Sequence, residues 1–148
     1  MTKKEINILD RIWSFAVKER DNFTCRYTNC SNKNVDSHHI IKRQFRTLRW
    51  DLDNGLTLCK SHHYFSNNAA HVDELGFMEW MKENNINFAN FWKRRYDNSN
   101  FIFQDVLLNM KAQAVNLNLL ETIVMIKKYE GKTLRDKNRN KKRKKANI

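Results

Sequence analysis

The fold of this chain is decided by residues 53–63, which read Asp-Asn-Gly-Leu-Thr-Leu-Cys-Lys-Ser-His-His. The Asn-Gly pair is typical of a tight turn, and the run 56–59 that follows it is short, apolar and partly β-branched. Residues 35–41 form a second run of this kind. The two runs are therefore predicted to pair as strands.

Helical periodicity appears on both sides of this predicted hairpin. After it, a short helix is predicted to begin near Lys60 and to carry His63 and Asn67 on one face, one turn apart. Before it, one amphipathic helix is predicted to end near Asp21-Asn22. The apolar positions of that helix are Ile6, Leu9, Ile12, Trp13, Ala16 and Val17.

The pattern is helical again beyond Gly76, and its aromatic and methionine stripes are interpreted as core. One helix, broken around Asn84-Asn85, is predicted from Phe77, Met78, Trp80, Met81, Ile86, Phe88, Phe91, Trp92 and Tyr96. A second stretch is predicted over residues 104–130, with Gly131 as its C-cap. Its apolar side consists of Val106, Leu107, Met110, Ala114, Leu117, Leu120, Ile123 and Val124.

All three cysteines and one histidine occur as two close pairs. Cys25 and Cys30 form a C-x4-C pair, and Cys59 and His62 form a C-x2-H pair. Together they offer four ligands, the number that a structural Zn²⁺ takes in tetrahedral geometry. One zinc would join the loop before the first strand to the turn after the second, and would stabilise a hairpin with little core of its own. Three unrelated buried thiols and a chance histidine are the alternative.

The chain is strongly basic, with 28 Lys and Arg against 16 Asp and Glu and a formal charge of +12. This surplus favours a polyanionic partner, most often nucleic acid, over an anionic membrane surface. No stretch has the pattern of a signal peptide or a membrane span, which predicts a cytoplasmic protein with reduced thiols. Residues 132–148 hold nine Lys or Arg against one Asp. They are predicted to form a tail that lies on phosphate, with a solubilising or localising tail as the alternative.

Residues 36–40, Asp-Ser-His-His-Ile, lie between the two pairs, and the 53–63 segment follows and contains the second pair. With His-His ending the first strand, Asn-Gly-Leu-Thr-Leu-Cys in the second and Cys-x2-His-His entering a helix, the chain resembles the HNH endonuclease family. The resemblance covers roughly residues 23–68. It implies a ββα-metal nuclease that hydrolyses DNA phosphodiester bonds, leaving a 5′-phosphate and a 3′-hydroxyl.

The resemblance also implies roles for single residues. His39 matches the general base that activates water, and Asn54 matches the asparagine that steadies the loop and orients the base. His38 and His63 match the ligands of one catalytic divalent ion, Mg²⁺ or Mn²⁺, with Asn67 as a further ligand in some relatives. His38 is a departure, since many relatives carry Asp there.

The residues alone leave alternatives open. Adjacent histidines on a strand point to opposite faces, so the division of base and ligand between His38 and His39 rests on the resemblance. The same holds for the division of zinc and catalytic metal between His62 and His63. Any single histidine is by default a satisfied turn or core residue, and His71 is left unassigned.

Basic side chains in the connector between the strands are expected to hold the DNA backbone near the metal, since phosphate contacts position a protein without reading sequence. They are Lys42, Arg43, Arg46 and Arg49. Lys93-Arg94-Arg95 would extend this footprint. A solvated basic face is the alternative for each of them.

The sequence thus predicts an α+β protein with a zinc-stapled ββα-metal core, an N-terminal helix and a mostly helical C-terminal half. Its regions are the helix 1–22, the nuclease core 23–75, a helical region 76–131 for DNA binding or packing, and the basic tail 132–148. We expect a homing-type or phage-associated endonuclease that nicks or cleaves DNA, without a small-molecule substrate or a membrane partner. A zinc-stabilised nucleic-acid-binding module without catalysis is the rival, and an RNA-directed nuclease is a third interpretation. The pattern does not indicate the oligomeric state.

Overall fold

The computed structural model describes residues 1–86 and 102–130 of the 148-residue chain. Within them it is a mixed α+β structure, in which a two-stranded antiparallel sheet packs against helices. Over these two ranges, no helix is long and apolar enough to cross a membrane. Several sequence predictions lie outside the described residues: the positions Phe88, Phe91, Trp92 and Tyr96, the basic run 93–95, the Gly131 cap and the tail 132–148.

The first helix, α1, spans Lys3–Arg20. Its N-terminus has a capping box, in which the Glu5 N–H donates to Thr2 Oγ1 and the Thr2 N–H donates to the Glu5 carboxylate. It ends at Arg20 with Asp21 as its C-cap, close to the end predicted near Asp21-Asn22. Its buried face consists of Leu9, Ile12, Trp13, Ala16 and Val17.

The sheet is an antiparallel hairpin of β1, Val35–His39, and β2, Gly55–Cys59. The predicted pairing of the two runs is confirmed, although the first strand is shorter than predicted. Alternate side chains of β2 serve opposite faces. Leu56 and Leu58 pack into an apolar cluster with Phe77 and Met81, whereas Thr57 faces α1 and donates its hydroxyl to the Val17 carbonyl.

Gly55 allows α1 to lie directly on the hairpin. A methyl group at this position would come within 2.3 Å of Val17 Cγ2 and 2.9 Å of Trp13 Cζ2. Gly55 pairs with His39 across the strands. The close approach at Gly55 therefore brings Trp13 to the end of β1 that carries the histidines.

Short elements fill the rest of the core region. Between the strands lie a one-turn helix, α2 (Arg46–Arg49), and a 3₁₀ turn at Leu52–Asn54. The next full helix, α3, spans Glu74–Glu83. The predicted break around Asn84-Asn85 is confirmed, since Asn85 has a left-handed φ of 58°.

The helix predicted after β2 is shorter than expected. It is a π-helical turn at Ser61–Phe65, and Ser66 ends it with extended backbone (φ −77°, ψ 157°). Asn67 therefore does not follow His63 by one helical turn. The prediction that these two residues share a helix face is wrong.

The C-terminal part is also divided differently from the prediction. A helix α4 spans Phe103–Asn116, and a helix α5 covers residues 120–130. The single stretch predicted over 104–130 is wrong, because Asn118 adopts a left-handed φ of 55° and turns the chain. Asparagine tolerates this conformation better than most residues.

The turn before α5 changes which side of that helix is buried. Thr122 and Ile126 are fully buried. The Glu19 carboxylate of α1 accepts the backbone N–H groups of Glu121 and Thr122, which caps the start of α5. Three positions of the predicted core face are exposed instead: Leu117, Leu120 and Val124.

Two apolar clusters hold these elements together. The first joins α1 to α4 and α5, and its members include Leu9, Ile12, Trp13, Trp50, Leu52, Leu107, Met110 and Ile126. The second joins the hairpin and the cysteine loop to α3, and its members are Cys25, Leu56, Leu58, Cys59, Ala70, Phe77 and Met81. The hairpin lies between them and is supported from both faces.

Candidate functional site

The two cysteine pairs converge as the sequence predicts. One ligand atom from each of Cys25, Cys30, Cys59 and His62 lies within 4.8 Å of all the others. His62 Nδ1 is 3.5 Å from Cys25 Sγ and 3.3 Å from Cys59 Sγ. A tetrahedral zinc places its sulfur and nitrogen ligands about 3.5–3.8 Å apart. This cluster is compatible with a zinc site.

Local backbone structure brings the first pair to the second. The Cys25 N–H donates to the Asn32 carbonyl, and the Arg26 N–H donates to Thr57 on β2. Asn29, in the left-handed conformation (φ 58°), reverses the chain just before Cys30. The loop is thereby tied to the edge of the hairpin, with its thiols facing the end of β2.

Aromatic packing sets the orientation of the His62 ring. Tyr27 stacks on it with centroids 4.1 Å apart, and Trp80 of α3 stacks on Tyr27 at 4.6 Å. Trp80 Nε1 donates to Thr28 Oγ1, and the Asn68 side-chain amide donates to the Tyr27 hydroxyl. The cysteine cluster is therefore packed against α3 through the stacked rings of His62, Tyr27 and Trp80.

The pKa values of two thiols in this cluster, those of Cys25 and Cys59, are shifted in opposite directions. Burial raises the pKa of the Cys25 thiol to about 12. Burial also raises the pKa of Cys59, but hydrogen bonds from the His62 backbone and from the neighbouring thiols outweigh it, so that the pKa lies below its ordinary value. A bound cation would favour the thiolate at each position, which is the form that binds zinc.

A second cluster consists of histidines. His38 is the next-to-last residue of β1, His63 lies in the π-helical turn, and His71 lies in the loop before α3. One ring nitrogen from each lies within 4.8 Å of the other two. The structure therefore brings His38 and His63 together as predicted, and adds His71, which the sequence left unassigned.

Folding of the loop after the π-helical turn explains the position of His71. The Ala70 N–H donates to the His62 carbonyl, and the His71 N–H donates to the His63 carbonyl. The loop thus returns beside the turn that it has just left. Helical spacing had suggested Asn67 as the further metal ligand, but Asn67 is exposed. The one sequence signal for His71 was that it was a histidine without an assigned role.

Two nitrogens of this cluster are buried polar atoms that lack a hydrogen-bond partner within the described part of the chain. They are Nδ1 of His38 and Nδ1 of His63. The nearest carboxylate oxygen to His63 Nδ1 belongs to Asp36, at 3.8 Å, which is too long for a hydrogen bond. Leaving such an atom unpaired costs about 1–3 kcal/mol. A bound metal ion would offset this cost, so the residues fit such an ion.

Both buried histidines are neutral at physiological pH. Burial, together with the neighbouring His63 and His71, lowers the pKa of His38 to about 3. Burial also lowers the pKa of His63 to about 4, although Asp36 opposes the shift. Neutral imidazole is the form that binds metal ions.

His39 has different surroundings from those of its neighbour on the strand. Its ring stacks on Trp13 of α1, with centroids 3.7 Å and planes 11° apart. Its Nε2 lies 2.9 Å from the Arg49 carbonyl. A carbonyl oxygen only accepts, so Nε2 carries the proton and Nδ1 keeps the lone pair. Burial holds the pKa of His39 below its ordinary value, which favours this neutral form.

Four of the five histidines, His38, His39, His63 and His71, line one cleft of about 680 Å³. Lys42, Arg43 and Arg49 contribute positive charge to its lining. A cleft of this volume accommodates a ligand of nucleotide size.

The four basic residues predicted to contact DNA differ in their availability. Arg43 and Arg46 are exposed. Lys42 is exposed and forms a surface ion pair with Glu74 at 3.2 Å, which contributes little in water. Arg49 instead donates twice to the Asp10 carboxylate, at 2.9 and 2.7 Å, so its charge is already paired inside the protein.

Asn54 is fully buried beneath the connector. Its Oδ1 accepts from the Ile41 N–H at 2.7 Å, and its Nδ2 donates to the carbonyls of Ile41 and Leu48, both at 3.0 Å. One side chain thus joins the two ends of the connector. It does not touch His39 through these bonds, but it fixes the segment that leads to Arg49.

Searches of protein-family models, curated proteins and solved structures found no match to this chain.

Proposed function

We propose that this protein is a metal-dependent DNA endonuclease of the HNH type. The observation that carries the proposal is the arrangement of its histidines. One ring nitrogen from each of three imidazoles lies within 4.8 Å of the other two, and a fourth imidazole, with a defined proton position, lines the same basic cleft. Metal ligands, a base and cations in one cleft are what phosphodiester hydrolysis requires.

The catalytic ion would be held by His38, His63 and His71. Three protein ligands leave open coordination positions for water and for a phosphate oxygen, as in catalytic metal sites. When bound, the ion would supply positive charge to the phosphate and to the leaving oxygen. Because imidazole suits the later transition metals, whereas Mg²⁺ and Mn²⁺ suit oxygen ligands, the donor set favours Co²⁺, Ni²⁺ or Zn²⁺ over Mg²⁺ and Mn²⁺.

His39 is proposed as the general base. Its Nδ1 takes a proton from a water molecule while the water oxygen forms a bond to phosphorus and the bond from phosphorus to the 3′ oxygen breaks. The 3′ oxygen takes up a proton from solvent, which leaves a 3′-hydroxyl and a 5′-phosphate. The lowered pKa of His39 keeps the base unprotonated near neutral pH.

Phosphate binding is assigned to the exposed cations of the connector, Lys42, Arg43 and Arg46. Arg49 is not assigned to phosphate, because its guanidinium is paired with Asp10 and links the connector to α1. The cysteine cluster is given a structural Zn²⁺, because its ligand set is complete and leaves no open position for a substrate.

The experiment is a nicking assay on supercoiled plasmid with zinc-loaded protein that has been freed of other metals. Mn²⁺, Co²⁺, Ni²⁺ and Mg²⁺ are added separately, and wild type is compared with His39→Ala and with Arg11→Ala, an exposed control on α1. We expect nicking to depend on the added metal and to fall by about 10²–10⁴-fold in His39→Ala. Binding of plasmid should remain, as should the wild-type rate in the control.

Two outcomes would contradict the proposal. Nicking that survives in His39→Ala would remove His39 as the base. Binding without cleavage of plasmid, single-stranded DNA or RNA under every metal would favour a zinc-stabilised binding module.

A further inference from the structure

We propose that helix α1 is part of the machinery that positions the base, with Trp13 and Asp10 acting as positioning residues for His39. The consequence for activity rests on the proposed nuclease function. The geometric claim does not, since it concerns the orientation and proton position of one imidazole ring.

Trp13 fixes the plane of the His39 ring. The two rings lie 3.7 Å apart and nearly parallel, at 11°. Trp13 is itself immobilised, because only 2% of it is exposed and its Nε1 donates to the Asp51 carbonyl at 2.8 Å. The indole occupies the space above Gly55, where a methyl group would come within 2.9 Å of it. The stack therefore cannot slide without displacing the hairpin.

Asp10 fixes the group that holds the His39 proton. That group is the Arg49 carbonyl, which accepts from Nε2 at 2.9 Å. The Asp10 carboxylate accepts twice from the Arg49 guanidinium and once, at 2.8 Å, from Trp50 Nε1. Residues 49 and 50 are thus fastened to α1 by one carboxylate.

The two positions act together because of helical spacing. Residues three apart lie on the same face of a helix, so Asp10 and Trp13 reach the connector side by side. Asp10 holds residues 49 and 50, and Trp13 holds Asp51 and the imidazole. The lowered pKa of Asp10, in which hydrogen bonds from Arg49 and Trp50 outweigh burial, keeps the carboxylate charged.

This arrangement selects one tautomer of His39. With Nε2–H held on a carbonyl, Nδ1 keeps the lone pair and the ring is held in one orientation. If either restraint were lost, the ring could turn about its Cβ–Cγ bond, and the base would then be in the required position for only part of the time. Misplacement of a catalytic group by about 1 Å can cost about 100-fold in rate.

The test compares variants on the same helix. Trp13→Leu removes the stack, Trp13→Phe retains an aromatic plane, and Asp10→Ala removes the carboxylate. Leu9→Ala is the matched control, since Leu9 is fully buried in α1 and its truncation destabilises the core without touching His39. Arg11→Ala is an exposed control.

The first readout is independent of activity. Ring ¹⁵N chemical shifts of His39 in zinc-loaded protein report which nitrogen carries the proton. We expect the Nε2–H tautomer in wild type and in both controls, and a mixture of tautomers in Trp13→Leu and Asp10→Ala. Trp13→Phe should restore most of the wild-type signal. If Trp13→Leu fails to fold, Asp10→Ala and Trp13→Phe still decide the matter.

The second readout is plasmid nicking. In Trp13→Leu and Asp10→Ala, kcat should fall by about 10- to 100-fold with KM unchanged, while Leu9→Ala retains kcat below its melting temperature. Unchanged tautomers in both Trp13→Leu and Asp10→Ala would overturn the positioning role. If the tautomers change in these variants but the wild-type protein cleaves nothing, the positioning role stands and only the nuclease proposal is overturned.

Discussion

Trp13 lies flat against His39, with ring centroids 3.7 Å apart. One ring belongs to the first helix and the other to the end of the first strand, so the surroundings of this histidine are built from segments distant in sequence. Its neighbour His38 faces His63 and His71 instead, at centroid distances of 5.1 and 5.0 Å. Strand alternation thus separates two adjacent histidines into two environments.

The cysteine cluster is expected to hold one zinc ion that the fold requires. Cys59→Ser should lose about one equivalent of zinc and more than about 4 kcal/mol in the free energy of unfolding, as when a structural metal is removed. Metal analysis and urea denaturation measure both. Ser31→Ala, at an exposed position beside Cys30, is the control. A folded Cys59→Ser protein with full zinc content would exclude the site.

The histidine cluster is expected to bind a second ion through His71. In zinc-loaded protein, His71→Ala should weaken Co²⁺ binding by about 100-fold or more, since even residues that only support a ligand cost 10–100-fold. Titration followed by the visible absorption of Co²⁺ provides the measurement. Asn67→Ala is the comparison and should bind as wild type does. A loss in Asn67→Ala with none in His71→Ala would restore the ligand set expected from the sequence.

Acid is expected to destabilise the protein through His38 and His63. Their pKa values in the folded state, about 3 and about 4, lie below the value near 6.5 of an unfolded chain. The unfolded chain therefore binds more protons below pH 6.5, so this stability is present above pH 6.5 and is lost as the pH falls towards 4. The slope is at most about 1.4 kcal/mol per pH unit for each histidine.

Urea denaturation of zinc-loaded protein at pH 7.5, 6.5 and 5.5, without a second metal, measures this slope. His38→Gln removes one titrating group. It should therefore reduce the pH dependence of the free energy of unfolding by the contribution of about one proton. The cysteine cluster is the same in both proteins, so its own pH dependence cancels when the two slopes are subtracted. Equal slopes in the two proteins would contradict the assignment.

Asn54 is expected to matter for stability and for activity together. Asn54→Ala removes three hydrogen bonds and leaves buried backbone groups of Ile41 and Leu48 unpaired, which should cost about 3 kcal/mol or more. The connector would loosen, and with it the Arg49 carbonyl that holds His39. Urea denaturation and the nicking assay measure the two effects. Asp53→Asn, at the exposed position beside it, should change neither.

Local pattern predicted much of the fold. The α1 helix and the break at Asn84-Asn85 were accessible because apolar periodicity and residues close in sequence set them. The two strands were accessible as short, apolar, partly β-branched runs. The tight turn expected at Asn54-Gly55 is wrong, since Gly55 has extended backbone and begins β2. The convergence of the three cysteines with His62 was also accessible, since two close pairs need only one loop to meet. The missed turn at Asn118 and the early end of the helix at Phe65 depend on single backbone conformations, which periodicity does not report.

By itself, the sequence determined the elements and their chemistry: an amphipathic first helix, two short strands that pair, and a paired cysteine set. Only the tertiary structure decided which side chains share a site. It placed His71 with His38 and His63 through a loop that folds back, and it paired Arg49 with Asp10. The physical reason is that these contacts join segments far apart in sequence, where packing and burial, rather than spacing, select the partner.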